Sequence, residues 1–225
     1  MAFSLPDGLA PEVYPLAWLV GRWRGEGVVG YPGIEEAAFT QDVEFDHDGG
    51  PYLRYTSTIR LVVVPDDAAA LTGDDAAGAA PDPAAPGASG EAEPLRTAGG
   101  VVPEPAGSGA GGGASPDDGP VWSTESGFWR ISSERPAGLS ENQYPVEVLM
   151  ADPAGHVGVY VGAVGNGRID LVSDLIARTS TAAEVAAAKR LYGLVNGELM
   201  WAWDLAAFGH PMQTYASARL TRQEA

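Results

Sequence analysis

The stretch His156-Val-Gly-Val-Tyr-Val-Gly-Ala-Val-Gly-Asn166-Gly167-Arg168-Ile-Asp-Leu-Val-Ser173 reads as two β-strands joined by a two-residue turn. β-Branched and aromatic residues fill both arms, and Asn166-Gly167 supplies the two positive-φ positions that a type I′ hairpin demands. Asn196-Gly197 repeats the signal further on. Working outward, short runs rich in Val, Ile, Tyr, Phe, Trp and Thr recur between Gly, Asn, Asp and Pro, the pattern of an antiparallel meander. Ten runs emerge, at 21–31, 35–45, 52–64, 123–132, 144–151, 156–164, 168–177, 189–195, 198–207 and 212–221. So many strands with little helix leave two raw sheet edges unless the sheet closes on itself. The expectation is an all-β fold, a ten-stranded antiparallel closed barrel.

Between the third and fourth runs the composition changes. Residues 65–120 are dominated by Ala, Gly, Pro and Asp, with only Leu71, Leu95, Val101 and Val102 as sizeable apolar side chains. Those cannot offset about 1–2 kcal/mol of ordering entropy per residue, so a long disordered insertion is expected inside one domain made of 1–64 and 121–225. One or two short helices are expected as well, from two candidate pieces. One spans 12–20, limited by Pro15; the other follows the capping box Thr181-Ala-Ala-Glu184 into Val185-Ala-Ala-Ala-Lys189.

The chain has 225 residues and a formal charge of −17; ten acids against Arg96 place −9 of it in the 65–120 segment. Such a balance repels phosphate backbones and anionic lipid, so neither nucleic acid nor membrane is an expected partner. Without cysteine, disulfides and thiolate metal sites are excluded. No basic start with an apolar core marks a signal peptide, and no run nears the roughly 20 apolar residues of a membrane-spanning helix. A cytoplasmic protein is expected.

Gly21-x-Trp23-x-Gly25-x-Gly27 has a mechanical reading: alternation puts Trp23 opposite Arg22 and Arg24, and the glycines on the Trp face permit a sharp bend or close approach of another backbone. Trp23 closes one barrel end or, on the alternative reading, touches a ligand. Further along come Tyr31-Pro32, Gly50-Pro51-Tyr52-Leu53-x-Tyr55-Thr56, Glu125-Ser-Gly127-Phe-x-Arg130, Ala182-x-Glu184-Val185, Gly209-x-Pro211-Met212-Gln213 and Ala218-x-Leu220. In this order, and across nearly all of the chain outside 65–120, the series resembles the nitrobindins. The resemblance implies a lipocalin-like barrel of ten strands. In that family haem b sits at an open end on a histidine of the last strand, and the ferric haem binds nitric oxide and isomerises peroxynitrite to nitrate.

In this chain the histidine's place falls on Tyr215, and that of a lysine some members carry near the haem falls on Ala183. A phenol ionises at about 10 and becomes an iron ligand only where a metal or cation favours phenolate. The expected cofactor is therefore none, with haem b through Tyr215 or His210 as the alternative. Five extended residues span roughly 16 Å, so His210 could share an iron at 215 only through a folded-back loop. Strand parity adds a conflict: Met212, Thr214, Ala216, Ala218 and Leu220 form the apolar face, which turns Tyr215 outward unless a bulge intervenes. His47 and His156 read as solvated turn residues, Glu125 as a rim carboxylate, and Trp201 and Trp203 as barrel wall. No Gly-x-Ser-x-Gly, Gly-x-x-x-x-Gly-Lys or His-Glu-x-x-His motif is present, and no catalytic residue can be assigned. The residues point to a barrel that binds a small apolar or planar ligand, with a scaffold acting through the acidic insertion as a further alternative.

Overall fold

The structure, a computed structural model, describes residues 5–62 and 119–224. The segment expected to be disordered lies almost wholly outside those residues. Ten strands form a closed barrel in which each pairs antiparallel with its sequence neighbours and the last with the first. They are β1 Gly21–Tyr31, β2 Ile34–Asp46, β3 Leu53–Leu61, β4 Val121–Ile131, β5 Tyr144–Ala151, β6 His156–Gly165, β7 Arg168–Arg178, β8 Val185–Val195, β9 Glu198–Ala207 and β10 Gln213–Arg222. Both Asn-Gly turns are in place, with Asn166 at φ 53° and Asn196 at φ 55°.

Of the two helical pieces weighed, one forms. The first piece is a 3₁₀ helix, Pro11–Leu19, whose Val13, Leu16 and Leu19 are wholly buried. The second does not form. Residues 179–184 make turns and bends, and Val185 to Lys189 belong to β8, paired with β9 from Val185 and with β7 at Lys189. A five-residue helix holds few internal hydrogen bonds, whereas a strand at this place satisfies its backbone against neighbours, so barrel closure overrides the alanine propensity.

The 3₁₀ helix closes the end where β1 begins. Trp23 Nε1 donates to the Leu19 carbonyl at 2.7 Å, and the Arg222 guanidinium lies 4.1 Å from the Trp23 ring centre. The motif glycines are needed for close approach: a Cβ on Gly25 would fall 2.0 Å from the Arg219 carbonyl oxygen, and one on Gly27 2.3 Å from that of Ser217. A side chain at either place would push β1 off β10.

The opposite end is the mouth, where β1 ends and β10 begins. All five register shifts among the described residues lie in this half of the barrel, at Val29/Tyr31, Thr214/Ala216, Ile59/Arg60, Val159/Tyr160 and Val185/Ala187. Bulges bend strands and re-aim side chains, which is what a rim requires.

Candidate functional site: the barrel mouth

Tyr215 is the residue that the bulge on β10 inserts: Thr214 pairs with Asp204 and Ala216 with Trp203, leaving Tyr215 unpaired. The extra residue reverses the strand's parity, so Tyr215 and Ala216 are both buried and the conflict seen in the sequence disappears. Trp122 is brought inward the same way, because Ile59 pairs with Ser123 and Arg60 with Val121. The two bulge residues meet: Trp122 Nε1 donates to the Tyr215 hydroxyl at 3.0 Å. The Trp203 and Tyr31 rings pack edge-on against Tyr215, with centroids at 5.0 and 6.1 Å. Burial pushes the Tyr215 phenol up to about 12, although the Trp122 N–H acts in the opposite sense. At neutral pH it is a protonated phenol.

Deeper in the barrel stands an ion pair. Arg190 Nη1 donates to Glu125 Oε2 at 2.8 Å and Arg190 Nη2 to Glu125 Oε1, an end-on bidentate pair in which Arg190 is 5% exposed. Burial opposes the guanidinium charge most strongly, but the Glu125 carboxylate together with Tyr160 and Tyr192 outweighs it, and Arg190 is held well above its ordinary pKa. The guanidinium carbon lies 3.9 Å from the Trp203 ring centre and 5.4 Å from that of Tyr160. Tyr55 points its hydroxyl at Glu125 Oε2 from 3.4 Å; burial, then that carboxylate, raises its pKa far above 10.0.

His156 is buried rather than solvated. Asp152 Oδ2 lies 3.2 Å from Nδ1, and the Ala183 carbonyl 2.9 Å from Nε2, tying the β5–β6 turn to the 179–184 loop. A carbonyl only accepts, so Nε2 donates. The backbone of Ala183 is used where the resemblance expects a lysine side chain. His210 is exposed, its ring edge-on to Tyr31 at 6.0 Å. His47 is half-buried at the other end of the barrel. Trp201 and Trp203 line the interior as expected; Trp201 Nε1 donates to Gln41 Oε1 at 2.8 Å.

Beside the ion pair lies a cavity of about 30 Å³ bordered by Glu125, Asp152, His156, Tyr160, Arg190 and Trp203, among others. A larger concavity, about 760 Å³, sits around Val28, Met200 and Arg219 and shares none of these residues. Among the described residues no group of three or more His, Cys, Asp or Glu side chains could hold a metal ion, and no helix is long and apolar enough to cross a membrane.

Sequence reasoning singled out position 215 but not the side chains that surround it. Trp122 could not be placed without the bulge, while Arg190 and Glu125 were available through parity: Ala188, Arg190 and Tyr192 share the inner face of β8, and Ser123, Glu125, Gly127 and Trp129 that of β4.

The fold and mouth define a class, the closed ten-stranded barrel with an aromatic, polar-lined opening. Residues 12–222 match the family described as "THAP4-like, heme-binding beta-barrel domain". The chain is 50% identical to a "Ferric nitrobindin-like protein" of Beutenbergia cavernae over 99% of both chains. It is 32% identical to a "Peroxynitrite isomerase" of Clavibacter sepedonicus over 97% of this chain and 98% of that one. The crystal structure of Rv2717c from M. tuberculosis superposes with a TM-score of 0.62 at 26% identity, covering 96% of this chain and 99% of that chain. The chain belongs to the nitrobindin family of haem-binding β-barrel domains.

Position 215, where the resemblance puts the family's haem ligand, holds a side chain that ligates iron only as its anion. The ligand position offers a neutral phenol engaged by Trp122 and boxed by Trp203, and the nearest buried cation, Arg190, is committed to Glu125.

Proposed function

We propose that this chain is a nitrobindin-type barrel that holds a small planar ligand in its mouth and does not ligate haem. The observation that carries the reading is the Tyr215 phenol, buried and protonated, at the place where the resemblance puts the family's iron ligand. Phenolate ligation needs that proton removed in a site whose burial favours the neutral form, an effect that the Trp122 N–H only partly offsets. A cavity of about 30 Å³, walled mostly by apolar side chains with a few polar groups, suits a ligand of very few atoms.

Hemin titration followed by absorbance tests it. The wild-type protein should give no sharp Soret band and no 1:1 saturation, while Tyr215→His should bind hemin at least tenfold more tightly. Stoichiometric ferric haem in the wild type would overturn the reading. It would favour a second one, a haem protein acting on peroxynitrite, which has in its support the family description and the name of the Clavibacter relative. Nitrate formation from peroxynitrite by the loaded protein is then the measurement that follows.

A further inference from the structure

The guanidinium of Arg190 has two edges that can each grip a planar pair of oxygens. Glu125 takes the end-on edge through Nη1 and Nη2. On the other edge Nε is buried and has no hydrogen-bond partner, and neither does Nε1 of Trp203, the ring on which the guanidinium lies. Arg190 is 5% exposed and Trp203 9%. Leaving a buried N–H unmet costs about 1–3 kcal/mol, so two such donors beside one cavity are an unmet demand for an acceptor.

The facing carboxylates do not answer that demand. Glu125 is spent on the end-on edge, and Asp152 is held by the His156 ring and backbone N–H. The cavity of about 30 Å³ exceeds the 10–15 Å³ needed for a water and admits a molecule of about three heavy atoms. Two unmet donors on two side chains call for acceptor atoms, and a carboxylate offers one oxygen to each.

We propose that the barrel mouth binds a small carboxylate of the formate class, held side-on by Arg190 Nε and by Trp203 Nε1. This deepens the small-ligand reading of the mouth and rests on it. Glu125 already neutralises much of the Arg190 charge, and a three-atom ligand has a low affinity ceiling, so the dissociation constant belongs on the order of millimolar.

The test uses the full chain, with sodium formate titrated against sodium chloride at constant ionic strength. Tryptophan fluorescence and thermal unfolding are both followed. Formate should give a saturable fluorescence change and a raised Tm that chloride does not. Trp203→Phe keeps the ring and removes the donor, and should weaken formate at least tenfold with an unchanged circular dichroism spectrum. Arg190→Lys should abolish binding; because that variant risks misfolding, the tryptophan variant decides. Equal responses to the two salts, or undiminished formate binding by Trp203→Phe, would overturn the proposal. Hemin uptake is read separately at the Soret band, so failure of the formate site and failure of the haem-free reading are distinguishable.

Discussion

Tyr215 shows how one side chain carries a site's protonation state. Its phenol, ordinarily at 10.0, is pushed to about 12 by burial. Above pH 10 the unfolded chain releases this proton and the folded chain keeps it. Stability is therefore complete below about pH 10 and falls until about pH 12, by about 2–3 kcal/mol in all. Tyr55, Tyr160 and Tyr192 are raised by burial too, so the contribution of Tyr215 must be isolated by difference. Urea midpoints from pH 9 to 12 should fall more steeply for the wild type than for Tyr215→Phe. Equal slopes would mean that the barrel does not hold this phenol neutral.

The ion pair makes a related point. A buried pair seldom stabilises more than an apolar replacement of similar volume. Arg190 and Glu125 are thus better understood as site chemistry than as a fastening, which is why their unmet edge matters.

At the scale of the element, β1 and β10 close the barrel with the Gly25 backbone tight against that of β10. Gly25 permits this, since its missing Cβ would stand 2.0 Å from the Arg219 carbonyl oxygen. Backbone, unlike a flexible side chain, cannot step aside cheaply. Gly25→Ala should lower stability by about 1–3 kcal/mol, measured as a reduced urea midpoint with an unchanged slope. The motif glycines were legible as a device for close approach, but which strand approaches was not, because β10 is remote in sequence. The reading of Val185–Lys189 failed for a different reason: local alanine propensity gave way to pairing with the neighbouring strands β7 and β9.

For the whole molecule, the segment outside the described residues leaves and re-enters at adjacent points. The Leu61 N–H donates to the Pro120 carbonyl at 3.0 Å, and Gly119 packs against Leu61. Replacing residues 64–118 with a four-residue turn should preserve the barrel and add about 2 kcal/mol, the closure entropy of the longer loop. Thermal unfolding and circular dichroism check this; a lost fold would show that the segment belongs to the domain.

By itself the sequence determined the strands, the two Asn-Gly hairpins, the need for closure and the phenol at position 215, because alternation, turn chemistry and residue identity are local properties. Only the tertiary structure decided where those residues point. Tyr215 and Trp122 face inward through single extra residues whose positions are set by register against β9 and β3. Register is a property of two strands at once, and one inserted residue inverts the side chains beyond it, so a period read along a single strand cannot assign the mouth.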